Sequence, residues 1–103
     1  MSASIEEIPL TPDNQQFAIT LGGQSLRMTL IWRGVAGWIL DLYDAMGNPM
    51  VLGVPLIPDT DLLASYPFVG LNGKLVVKSD TPYPTEYNLG SGARLYFLQE
   101  TTA

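Results

Sequence analysis

At 103 residues and about 11.2 kDa the chain has the length of one domain, expected to span 1–103 with 1–7 and 100–103 as loose ends. Hydrophobic residues make up 47% and charged residues 15%, which excludes a disordered or heavily solvated chain, and ten glycines with eight prolines favour short strands over long helices. Ten acids against five bases leave a net charge of −5, so no cationic surplus exists to displace counterions from a nucleic acid.

The start, Met1-Ser2-Ala3-Ser4-Ile5-Glu6-Glu7, is acidic and carries no basic segment followed by an apolar run, so no secretory signal is expected. Residues 1–15 read as a flexible start that tightens near Ile8-Pro9-Leu10, and Thr11-Pro12-Asp13-Asn14 reads as a turn. Gln16 to Leu21 and Gln24 to Arg33 then flank Gly22-Gly23, a dipeptide suited to a two-residue hairpin turn. Pairing Leu21 with Gln24 sets Ile19 opposite Leu26 and Phe17 opposite Met28 on one face. A slip of one residue would destroy that match.

After Gly34-Val35-Ala36-Gly37, pairing Arg33 with Gly37 sets Trp32 against Trp38, Leu30 against Leu40 and Met28 against Leu42, and the apolar face continues. Asp44-Ala45-Met46-Gly47 reads as a turn. Pairing Asp44 with Asn48 then predicts Leu42 opposite Met50, Leu40 opposite Leu52 and Trp38 opposite Val54. Residues 16–54 are therefore expected to form a four-strand antiparallel meander with one apolar face.

Pro55-Leu56-Ile57-Pro58 must leave that ladder, because two prolines so close cannot serve a central strand. Residues 59–64 read as a loop or one helical turn capped by Asp59. A hairpin is expected at Asn72-Gly73, with Phe68 opposite Val77 and Gly70 opposite Leu75. Thr81-Pro82-Tyr83-Pro84-Thr85 is a loop, and Ala93 to Gln99 a closing strand with Leu95 and Phe97 on one side. About seven short strands predict an all-β fold, a small antiparallel barrel or sandwich. No apolar stretch reaches the ~18 residues of a membrane span, so a soluble chain is expected, with no membrane partner.

Cysteine and histidine are both absent, which excludes thiolate nucleophiles, Ser-His-Asp triads, imidazole bases, disulfides and metal sites built on those ligands. Asp59 and Asp61 form a tight acidic pair, but the loop lacks the further oxygens that calcium requires, and a turn cap with a solvated charge is the simpler role. Gly90-Ser91-Gly92 lacks the lysine and helix of a phosphate loop and reads as a plain turn. No catalytic residue, metal or cofactor is assigned. Trp32 and Trp38 could offer a stacking platform for carbohydrate, although the register places both with the core.

The reverse face of the meander aligns Ile31, Ile39, Tyr43 and Val51, more apolar groups than a free solvent face usually carries. Either a second sheet layer or another subunit is expected to cover them. Tyr83 and Tyr87, in the proline-rich loop, are further candidates for subunit contact.

Leu21-Gly22-Gly23-Gln24, the run Trp38 to Pro49, Val51-Leu52-Gly53-Val54, Asp61-Leu62-Leu63-Ala64, Gly70-Leu71-Asn72-Gly73 and Ala93-Arg94-Leu95-Tyr96 together resemble the small baseplate plug proteins of contractile-tailed phages. The likeness spans roughly residues 8 to 99 and rests on the order and spacing of turns and core residues. It implies a non-enzymatic virion protein at the distal end of the tail, near the hub or spike. It further implies several copies assembled in the host cytoplasm against hub, spike, tube or wedge proteins. Beside it stand a small ligand-binding β module, carbohydrate being the candidate ligand, and, more remotely, an enzyme working through Asp or Glu.

Overall fold

The computed structural model describes residues 2–66 and 73–101. Among these residues seven strands follow in chain order: β1 Ser2–Ile8, β2 Gln15–Leu21, β3 Gln24–Trp32, β4 Trp38–Asp44, β5 Pro49–Pro55, β6 Gly73–Ser79 and β7 Ala93–Thr101. They form a four-stranded sheet in the order β2-β3-β4-β5 and a three-stranded sheet in the order β1-β7-β6. Both are antiparallel and, among the described residues, neither closes on itself, an arrangement consistent with a sandwich.

The first two hairpins have the expected register. Leu21 pairs with Gln24, Ile19 with Leu26 and Phe17 with Met28; farther on, Trp32 pairs with Trp38, Leu30 with Leu40 and Met28 with Leu42. Residues 34–36 form a single 3-10 turn in the connection, closed by the Arg33 N–H donating to the Gly37 carbonyl at 2.9 Å. Alternation fixes which side is covered. Leu26, Met28, Leu30, Trp38, Leu40 and Leu42 face inward and meet Leu75, Val77, Leu95 and Phe97 of the second sheet in one apolar cluster.

The β4–β5 pairing departs from the expected one. The Asp44 N–H still donates to the Asn48 carbonyl at 2.9 Å, but Leu42 pairs with Val51 instead of Met50, and Leu40 with Val54 instead of Leu52. Two irregularities each add one residue to β5. At the one between Val51 and Val54, Gly53 adopts a φ of +75° and its N–H donates to Asp41 Oδ1 at 2.7 Å. The physical consequence is an exchange of faces. Val51 is buried, and Leu52, expected in the core, is 54% exposed.

The other departure is at the amino terminus. Residues 2–7, expected to be loose, form β1 together with Ile8 along the edge of β7, with Ser2 paired to Thr101 and Ile8 to Leu95, and Ile8 is buried. The expected loose end likewise begins later, because β7 runs through Glu100 to Thr101. Leu56, Leu62 and Leu63 join the core from the segment between the sheets, whose Asp59 and Leu62 N–H groups donate to the Val77 and Leu75 carbonyls. The expected strand before Asn72, with Phe68 and Gly70, lies outside the described residues.

Candidate functional site

Five of the ten acids, Glu7, Asp41, Asp44, Asp59 and Asp61, serve turns, strands or surface pairs. Asp59 has a φ of +64° and caps no helix; its carboxylate pairs with Lys78 Nζ at 2.6 Å, both side chains largely exposed. The capping role falls to Asp61, whose Oδ1 accepts the Leu63 N–H at 3.0 Å. Glu7 meets Arg94 at 3.4 Å, joining β1 to β7. Asp44 accepts the N–H groups of Met46 and Asn48, both at 2.9 Å, and the Asn48 side chain at 3.1 Å. These donors, Asn48 first, hold its carboxyl below the ordinary value of 3.8. Among the described residues no polar or charged side chain is fully buried, and no three Asp or Glu gather where a metal could be held.

The tryptophans do not form an open platform. Trp38 is buried and its indole N–H donates to the Thr85 carbonyl at 2.9 Å, which ties the proline-rich loop to the four-stranded sheet. Trp32 stands edge-on to it, 5.6 Å between ring centroids at 63°. Stacking a sugar needs an exposed ring face, and Trp38 has none to offer.

The candidate contact residues fall into two places. Ile31, Ile39 and Tyr43 lie on the outer face of the four-stranded sheet, half-buried by one another and their neighbours; Ile31 pairs directly with Ile39, and Tyr43 with Arg27. The second sheet covers the opposite face. Val51, placed with them by the simple register, is instead a core residue, because the β5 irregularities turn it inward. Leu52 takes the outward position. A glycine interrupting a strand-like run was the sequence signal for this, since such a glycine commonly marks a bulge.

The second place is one end of the sandwich. Trp32, Val35, Pro55, Ile57 and Tyr83 line an open cleft of about 340 Å³ to which no charged side chain contributes. Val35 is fully exposed and Tyr83 is 65% exposed. Tyr87, also exposed, lies in the same proline-rich segment but does not line the cleft. Sequence patterning missed Val35 and Ile57, because a turn valine and an isoleucine between prolines carry no periodic signal.

Two antiparallel sheets around one apolar core, with exposed apolar side chains at one end and half-buried ones on a sheet face, define a small β-sandwich suited to a structural role. Comparison with protein families gives a match over residues 5–100 to the family described as cyanophage baseplate Pam3 plug gp18, and the chain belongs to that family. Membership makes it a structural component of a phage tail baseplate, assembled with other baseplate proteins. A search of curated proteins gives no match.

Proposed function

We propose that the protein is a non-enzymatic plug or connector at the central hub and spike of a contractile-tail baseplate, assembled in the host cytoplasm in several copies. The family match over nearly the whole chain carries this reading. The apolar surfaces support it: Ile31, Ile39, Tyr43 and Leu52 on the sheet face, and the uncharged end cleft with Tyr83, are the kind of surface that a permanent assembly covers. Tyr87 is a further contact candidate beside them. The net charge of −5 limits unspecific self-association before assembly.

The test is incorporation into particles. Phage carrying Ile39→Lys or Tyr83→Asp should produce a folded protein that is depleted from purified tails, and chemical cross-links from wild-type tails should reach hub or spike proteins. Full incorporation of both variants, or cross-links confined to the baseplate periphery, would contradict the central placement.

A further inference from the structure

Among the described residues the two open sheets leave four edge strands, and three of them carry features that block further pairing. β1 has Glu6 and Glu7, both exposed. β5 begins and ends on proline and is irregular twice. On β6, the Leu75 and Val77 carbonyls accept bonds from Leu62 and Asp59. Charges, prolines, bulges and covering segments are the means by which sheets keep edges from recruiting strands. β2 has none of them. Its seven residues, Gln-Gln-Phe-Ala-Ile-Thr-Leu, contain no charge and no proline, and they pair with β3 without interruption.

The open side of β2 can be read residue by residue. The two-residue turn makes Leu21 and Gln24 a hydrogen-bonded pair, so Leu21, Ile19, Phe17 and Gln15 direct their backbone groups to β3. Gln16, Ala18 and Thr20 direct theirs outward. Among the described residues no other segment bonds to those groups. Phe17 and Ile19 pack against the core but are only half-buried, so the core is unfinished along this edge.

We propose that β2 pairs antiparallel with β2 of a second copy of this chain, about a two-fold axis at Ala18, joining two four-stranded sheets into one of eight. In that register all seven residues overlap, and outward-directed residues meet outward-directed ones: Ala18 its own copy, Gln16 the Thr20 of the other. Phe17 then lies beside Ile19 of the second copy on the core side, which completes the apolar layer at the edge. No like charges become opposed. The two Arg27 side chains, one strand further in on each side, are three strand spacings or about 14 Å apart, beyond the ~8 Å screening length at physiological salt. Seven paired residues give a small interface, so the dimer belongs to the weak, transient class.

This inference is independent of the baseplate placement and is tested on the isolated protein. Sedimentation velocity from about 10 μM to 1 mM should show a reversible monomer–dimer equilibrium within that range. Amide exchange should show Gln16, Ala18 and Thr20 gaining protection only as the dimer forms. Ala18→Lys sets two lysines against each other at the axis and should weaken association at least about tenfold. Ala18→Pro removes the outward N–H without removing a bond to β3, and it should do the same; a matching circular dichroism spectrum identifies the folded variant. Three results overturn the proposal: a monomer throughout the range, a dimer that survives in a folded Ala18 variant, or protection of these amides only in assembled tails, which would mean that another protein supplies the strand.

Discussion

Gly90 has a φ of +90°, and a Cβ built there would overlap the Leu10 carbonyl oxygen. Both backbone strain and a backbone clash therefore oppose a side chain, and Gly90→Ala should cost about 2–4 kcal/mol in urea unfolding. Trp38 couples burial to a single hydrogen bond. Replacing it by Phe keeps most of the apolar volume but leaves the Thr85 carbonyl without its donor, an expected loss of about 1–3 kcal/mol. Asp44 supplies the pH dependence. Because its folded-state carboxyl titrates below the ordinary 3.8, its stabilising effect is fully present above that value and fades as pH falls through the lowered one. Asp44→Asn should therefore flatten the acid limb of the stability–pH curve below 3.8 and leave its shape near neutrality unchanged. The Asp44 turn could be read from the sequence, because Asp at the first turn position bonds local N–H groups; the Gly90 contact with Leu10 could not, because it joins residues about eighty positions apart.

At the scale of elements, the meander from β2 to β4 was legible because two short turns fix the register and one apolar stripe confirms it. The β5 register was not, since the run Met50-Val51-Leu52-Gly53-Val54 satisfies a simple alternation almost as well as the observed one. Only the positive φ at Gly53 and its bond to Asp41 decide between them. β1 escaped for a different reason: Ser2 to Ile8 has few apolar residues and draws its pairing from β7, more than eighty residues away. Substitution separates the two β5 registers. Val51→Lys buries a charge without a partner and should cost more than about 4 kcal/mol or prevent folding, whereas Leu52→Lys on the open face should change stability by less than about 1 kcal/mol. Leu40→Ala, at the centre of the core, should cost about 2–5 kcal/mol. Urea melts of the three variants check all of this together.

At the scale of the molecule, the absence of His and Cys by itself restricts the catalytic chemistry open to the chain, and the sandwich puts Glu7, Asp59 and Asp61 to use in turns and surface pairs. The sheet-face candidates were partly legible from strand alternation, while the end cleft was not, since Trp32, Pro55 and Tyr83 converge only when β3, β5 and the loop before β7 meet at one end. The apolar surfaces, the low charge and the family all bear on one role: a small structural domain assembled with other proteins of the baseplate. A cryo-electron microscopy reconstruction of the intact tail tip tests that role most directly. For a central plug, density for this sandwich lies at the centre of the baseplate beside the hub and spike, with the Ile31–Ile39 face or the Tyr83 cleft covered by a neighbouring protein. A baseplate in which the chain sits at the periphery, or is absent, with both surfaces bare in every copy, would contradict it.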